Sequence, residues 1–333
     1  SLGILWPPSP TRTADYQAIH RESLQSYPAF VAEIEQVSGI PTGYKMCGGA
    51  EALMTEHEYN MAQKEIAASA SSDFDRDSIE IITPQDFKNL ETNIMPAPLG
   101  AALWKKVAGV NIQQLIKSLD TALIRLGVSR FYGSGVERLV RDGKTVTLQL
   151  KNATYSAAAC IVAAGADSGR LLLEHGLPLQ IDTVPGEALG FVTESILLRC
   201  IYKESKIFFH PVDNKKLIVG ATTELKGPQG CLPTEAAQEK LFTVIKRALG
   251  AKSSSIKEIY HWRGLRPRGP ARKPVIGKVP GSENIFVAAG HYKLGTALAP
   301  VTASLLRDQI LFNRLDNRAS FMEPQNIFTG KAA

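Results

Sequence analysis

Apolar positions recur with a helical period from Ala14 to Val37, and the pattern stops at Gly39 with Pro41 beyond it. This spacing predicts a helix over 14–37. A clearer stripe runs through Ile112, Leu115, Ile116, Leu119, Leu123 and Leu126. Asn111 stands as a cap and Gly127 follows the last apolar position, so a second helix is predicted there. After Gly127 the period becomes that of short strands at 128–132, 136–141 and 144–150. The last two are joined across Arg141-Asp142-Gly143-Lys144, where Asp-Gly favours a hairpin turn.

The run Ala158 to Ala164 is continuously apolar and stops at Gly165, which predicts a strand buried on both faces of a parallel sheet. The same ending recurs where Ile285-Phe286-Val287-Ala288-Ala289 meets Gly290. In doubly wound sheets, ligands lie beyond such carboxyl ends, where small residues let the backbone approach. Tight packing under a helix is the plainer account of one copy. Two copies move the balance toward a shared site. Between them, 183–193, 207–211 and 216–222 read as strands and 234–249 as a helix. That insertion predicts a second domain, an antiparallel sheet covering a cofactor site. A last helix is predicted to begin near Ala299 or Pro300 and to run through Leu305, Leu306 and Ile310.

Composition narrows the class. A chain of 333 residues with 44% hydrophobic and 21% charged residues supports two cores of ordinary size. No apolar run is long enough to span a bilayer, so the reading is a protein of the cytoplasm without an integral membrane segment. Cys47, Cys160, Cys200 and Cys231 form no CxxC pair, and no metal site is expected. The formal net charge is +6, but no aromatic-interleaved basic stripe accompanies it, and no nucleic-acid partner is expected.

A dinucleotide site on such a sheet requires glycines in the first strand-to-helix turn and an acidic residue about twenty positions on. Gly133-Ser134-Gly135 has Arg138 where the third glycine belongs and lies between two strands, so it is no fingerprint. On these residues alone, a binding module or another α/β protein is favoured over a nucleotide enzyme.

The stretch His261 to Gly277, followed by Asn284 to Leu306, alters that balance. Trp262, Gly264, Leu265, Arg266, Pro267, Pro274, Ile276, Gly277, Gly290, His291, Gly295, Leu298, Ala299 and Pro300 stand in the order and approximate spacing of a family motif. In this respect the chain resembles the D-amino-acid-oxidase superfamily, and is most similar to the glycine oxidases of thiamine synthesis. Weaker matches at Leu2 to Leu5, Gly48-Gly49, the helix before Gly127, the VAAG at 162–165 and Pro185-Gly186-Glu187 extend the likeness over nearly the whole chain. Their order places Gly3 just after the family's N-terminal βαβ unit, so the chain is expected to lack that unit and to bind FAD weakly by itself.

The resemblance implies a mixed α/β fold with an FAD-binding doubly wound sheet, formed by 1–43, 108–182 and 264–325, and an antiparallel-sheet substrate domain, formed by 44–107 and 183–263. It implies non-covalent FAD held by Gly3, Ile4, Val136, Ala164, Gly165, Gly264, Arg266, Gly290, His291, Lys293, Leu294, Gly295 and Thr296. It also implies oxidation of a small carboxylated amine by hydride transfer to flavin, imine hydrolysis, and re-oxidation by dioxygen or another acceptor. A homo-oligomer is compatible with the family. Arg266 is the expected partner of the substrate carboxylate, with Lys293 adding positive charge and Phe208 contacting substrate.

Some positions depart from the family. Lys293-Leu294 stands where the glycine oxidases have arginine and asparagine, and Phe208 stands where they have a tyrosine. A substrate larger or less polar than glycine is expected from these changes. His210 and His261 are expected to be satisfied polar residues without an acidic partner, and Trp262 to be core. The rival to an enzyme is a non-catalytic chain of the same fold that binds no flavin.

Overall fold

A computed structural model describes residues 1–333 except 9–11, 70–77, 143, 174, 176–177, 225–229 and 329–333. Two compact units emerge. The first comprises Ser1–Thr13, Pro28–Ala122 and Pro185–Gly264, and the second Ala14–Tyr27, Leu123–Val184 and Leu265–Ala333.

The first unit is built on a sheet whose strands lie in the order Ile256–Arg268, Asp182–Thr193, Lys216–Gly220, Ile207–Asp213, Ile201–Glu204, Gly49–Ala52, Ala101–Trp104, Ile79–Ile82. Along the run from Asp182–Thr193 to Ile79–Ile82, neighbouring strands pair antiparallel except that Ile201–Glu204 runs parallel to Gly49–Ala52. Period-two alternation separates its faces. Ala50, Tyr202, Phe209, Val219 and Leu189 lie in register and are buried with Leu241, Val244, Ile245 and Ala248 of the helix Glu235–Leu249. Each of these large side chains contributes roughly 1.5–3 kcal/mol by leaving water. The helix starts where it does because Thr234 Oγ1 accepts from Ala237 N at 3.3 Å. The other face carries Glu51, Lys203, Phe208, Gly220 and Ala188, the row one residue out of phase. A small three-stranded sheet places Ala108–Gly109 between Ile4–Leu5 and Lys45–Met46.

In the second unit, Ile285–Ala289 is the middle strand of three, parallel to Cys160–Val162 and antiparallel to Val275–Lys278. Ile285 and Val287 enter a core with Val162, Leu172 and Val275. Phe286 points the other way, into a cluster with Ile19, Leu298, Val301 and Leu306. This strand is therefore covered on both faces, as its unbroken apolar sequence requires. The parallel register, Cys160 opposite Ile285 and Val162 opposite Val287, brings the two VAAG endings side by side. A meander of Val136–Asp142, Thr145–Leu150 and Thr154–Ala157 completes the unit's sheets.

Four sequence expectations are corrected. Residues 128–132 form no strand, because the chain there closes the preceding helix, with Val128 N donating to Leu123 O at 3.0 Å. The expected strand 158–164 contracts to Cys160–Val162 and lies at the end of its sheet, with Ile161 47% exposed rather than buried. The helix Ile112–Arg125 buries Leu115, Ser118 and Ala122 while Ile116, Leu123 and Leu126 face out. Its rotation is fixed by polar groups: Ser118 Oγ lies 2.6 Å from Ser38 Oγ and donates to Ile40 O at 2.9 Å. The last helix begins at Gly295 and takes Pro300 inside it. The Asp-Gly hairpin turn has Gly143 outside the described residues. No helix of the described residues is long and apolar enough to cross a membrane.

Candidate functional site

The corner between Ile285–Ala289 and the helix Gly295–Phe312 is set by its backbone. Gly290 has φ +74°, and a Cβ there would lie 2.8 Å from Gly269 Cα, so only glycine fits. Gly269 N donates to Gly290 O at 3.1 Å, and Tyr292 N donates to Pro267 O at 2.7 Å. These two bonds fasten the corner to the end of the strand that carries Arg266, Pro267 and Arg268. Tyr292 itself has φ +56°, a costly conformation for an aromatic residue that the flanking bonds hold in place. His291 Nε2 shares a 3.0 Å hydrogen bond with Thr302 Oγ1, tying the loop to the helix it feeds. Burial pushes the His291 imidazole down to about 4, so at neutral pH it is uncharged.

The helix opens without a side-chain cap. Leu294 is the N-cap residue and offers no side-chain acceptor to the first turn. The amides of Gly295, Thr296 and Ala297 therefore present the positive end of an 18-residue helix. Further along, Pro300 has no N–H for the carbonyl of Thr296 four residues back. Tyr27 fills that place, its hydroxyl donating to Thr296 O at 3.2 Å. Ser23 Oγ donates to Ala297 O at 2.7 Å and accepts from Val301 N at 3.4 Å. The helix Ala14–Ser38 thus repairs the break that proline introduces.

Beside this corner lies a cavity of ≈600 Å³ lined by Ile161, Ala163, Ala288, His291, Gly295 and Ala299, with further residues of the same helix. Neither Arg266 nor Lys293 lines it. Arg266 is half-buried on the strand Ile256–Arg268, and its neighbour Arg268 pairs with Asp182 at 2.7 Å. Lys293 is exposed, with Nζ 5.5 Å from the centroid of the Tyr292 ring. Both belong to the second unit.

The other expected cofactor residues fall into two groups. A Cβ at Gly165, which has φ +59°, or at Gly264 would meet nothing within 4 Å, so both leave open space against the backbone. Ala164 beside Gly165 is exposed. By contrast, Gly3 has a packing reason for being glycine: at φ +73° a Cβ would collide with the carbonyl of Val110, to which Gly3 is bound through Val110 N. Ile4 pairs with Gly109, and the carbonyl of Val136 accepts from Arg170 Nη2 at 3.3 Å.

In the first unit, Phe208 meets Trp6 edge-on, with ring centroids 5.6 Å apart. His210 is satisfied as expected, Nδ1 donating to Leu2 O at 2.7 Å. His261, expected to lack an acidic partner, has one: its Nε2 lies 2.8 Å from Glu187 Oε2. Glu187 is the centre of a network that sequence spacing hid. Its carboxylate also receives Arg263, Thr234 N and Thr234 Oγ1, while Arg263 Nη2 lies 2.9 Å from Glu224 Oε2. The cationic run 263–273 is therefore not a solvated face at its first member, whose side chain is 1% exposed. Trp262 is half-buried and packs on Tyr260 at 5.1 Å.

The chain is similar to known proteins in sequence and in fold. The family description "FAD dependent oxidoreductase" (DAO) matches residues 1–309. The chain is 26% identical to a glycine oxidase of Bacillus licheniformis over 294 residues, 88% of this chain and 77% of that protein. With a glycine oxidase of Pseudomonas putida it is 29% identical over 204 residues, 61% of this chain and 55% of that one. The fold superposes on the crystal structure of glycine oxidase from Geobacillus kaustophilus with a TM-score of 0.89 at 22% identity, covering 97% of this chain and 86% of that one. It also superposes on iminodiacetate oxidase from a Chelativorans species with a TM-score of 0.86 at 17% identity, covering 97% and 88%. At these identities the two structures speak for the fold alone.

Proposed function

The chain belongs to the DAO family of FAD-dependent oxidoreductases, and from that premise we propose that it oxidises a small amine bearing a carboxylate. Bound FAD supplies the two-electron acceptor for a hydride from the carbon next to the amine. The observation that carries this reading is the corner 290–296, where a cradle only glycine can form leads into an uncapped helix end. Such an end favours a ligand that gains negative charge, which suits the pyrimidine side of a flavin as it is reduced. Gly165, in the same unit as the corner, leaves the backbone open for a flat ring. Residues for the flavin end thus fit. A glycine-rich turn for the pyrophosphate is not found among the described residues.

Arg266 is assigned the substrate carboxylate, since a guanidinium grips it through two parallel hydrogen bonds. Lys293 adds positive potential at the corner, and Phe208 gives the substrate an apolar contact with no hydrogen-bond donor. His291 orients the loop through Thr302 and is uncharged at neutral pH, so it offers no imidazolium acid. With no flavin-linking cysteine in the motif 261–300, the cofactor is held non-covalently. Secondary amines with a carboxylate on each side, the type named for one structural neighbour, fit a site that lacks the glycine oxidases' tyrosine.

The test is direct. Flavin absorbance of the purified protein, with release of amine or ammonia from glycine, sarcosine, iminodiacetate and D-alanine, is expected to rank carboxylated amines above their neutral analogues. Turnover of neutral amines alone, or no flavin at any added concentration, would remove this reading.

A further inference from the structure

One row of the first unit's sheet carries an unusual set of side chains. Register places Glu51, Lys203 and Phe208 directly opposite one another on three adjacent strands, with Gly220 next in line. They share one face, away from the large core. Lys203 Nζ lies 2.5 Å from Glu51 Oε1, 5.7 Å from the Trp6 ring centroid and 5.8 Å from that of Phe208. Trp6 in turn lies over Gly49, where a Cβ would come within 2.7 Å of the indole, and stands 5.5 Å from the Trp104 ring. The Lys203 side chain is only 22% exposed. A cation this desolvated gains from two ring faces at once as well as from its carboxylate.

We propose that Lys203 is a positioning residue for substrate: pinned by Glu51 and facing both rings, its ammonium fixes Phe208 against Trp6 as the wall that sets substrate fit. This rests on the reading of Phe208 as a substrate contact. Without the charge, nothing polar orients the Phe208 ring. Gly220 beside it offers no side chain to restrain it.

A second carboxylate tunes this hold. Glu65, half-buried on the helix Glu56–Ser69, lies within the electrostatic reach of the pair: burial followed by the charge of Glu51 pushes it up to about 7 against the pull of Lys203. The strand Ile79–Ile82 also packs on that helix, and its Glu80 is paired with Lys105 at 3.5 Å. Above pH 7, two carboxylates draw on Lys203. Below it, Glu51 acts alone.

The experiment uses the full flavin-loaded protein and compares Lys203→Met, Lys203→Arg, Glu65→Gln and Phe208→Ala by KM, kcat and near-ultraviolet circular dichroism between pH 5.5 and 8.5. Lys203→Met is expected to raise KM on the order of tenfold, to change kcat less than twofold, and to weaken the aromatic dichroism. Lys203→Arg restores both. The wild-type KM moves in one step near pH 7, while Glu65→Gln stays at the low-pH value throughout. If Lys203→Met leaves KM and the dichroism unchanged while Phe208→Ala raises KM, the role of Lys203 is overturned and the Phe208 reading stands. If Phe208→Ala leaves KM unchanged for every carboxylated amine, the Phe208 reading falls, whether or not the dichroism still responds to Lys203.

Discussion

Tyr27 donates its hydroxyl hydrogen to the carbonyl of Thr296, the acceptor that Pro300 leaves vacant in the helix behind the corner. Tyr27 is fully buried, so water cannot replace that hydroxyl without rearrangement. Tyr27→Phe is expected to cost about 1–2 kcal/mol in urea unfolding, the penalty of an orphaned buried carbonyl. Ser23→Ala should cost at least as much, because Ser23 both donates and accepts there. Combining either change with Pro300→Ala should recover part of the loss by restoring the helix's own N–H.

The His291 imidazole gives a pH signature. Its value in the folded protein is about 4 against an ordinary 6.5, so between these limits the unfolded chain binds a proton that the folded chain refuses. Stability attributable to His291 is complete above pH 6.5 and declines as pH falls toward 4, by about 3 kcal/mol in all. Denaturation curves across that window, run against His291→Gln, should show a flatter dependence in the variant. Equal slopes would mean the imidazole is not excluded from protonation.

Glu187 acts in the opposite region of the scale. Burial alone would raise its carboxyl, but the Thr234 amide and hydroxyl and the Arg263 guanidinium outweigh it and hold the group below its ordinary 4.5. The stabilisation is present above that value and is lost as pH falls beneath it. Arg263→Met should therefore destabilise by roughly 3–5 kcal/mol at pH 7, since it leaves a buried carboxylate unpaired. The double variant Arg263→Met, Glu187→Gln should be milder than Arg263→Met alone. Thermal melts at pH 7 and pH 4 separate the two effects.

Arg266 and Lys293 are distinguished by kinetics. In flavin-loaded protein, Arg266→Ala is expected to lower kcat/KM for carboxylated amines by about 3 kcal/mol equivalent while flavin absorbance persists. Lys293→Ala should cost on the order of 1–2 kcal/mol, because one flexible ammonium holds its partner less rigidly than a planar fork. Unchanged turnover in Arg266→Ala would transfer the carboxylate to another residue.

Legibility followed the range of each interaction. The helices Ala14–Ser38, Ile112–Arg125 and Glu235–Leu249 and the strand Ile285–Ala289 were all visible as periodicities, because local spacing alone decides them. The pairing of the two VAAG strands was visible because the same ending occurs twice. Ser118 was not, since a polar residue on an apolar helix looks like noise until Ser38 is beside it. The same holds for Glu187 and Arg263, whose partners lie 76 residues apart in sequence. The usual rule for proline in a first turn puts the start of the last helix near Ala299 or Pro300. Tyr27 and Ser23 make that rule unnecessary here, and no one-dimensional pattern announces them.

The strand Cys160–Val162 ends its sheet and carries an exposed isoleucine, Ile161. A row of amides and carbonyls that no strand among the described residues pairs, next to apolar surface, is a template as well as a boundary. Its behaviour should scale with concentration: dilute protein keeps the row hydrated, whereas crowded protein offers it to any extended segment able to lie alongside. Ile161→Lys would place a charge on that row, and light scattering against protein concentration is where the change in colloidal state should be seen.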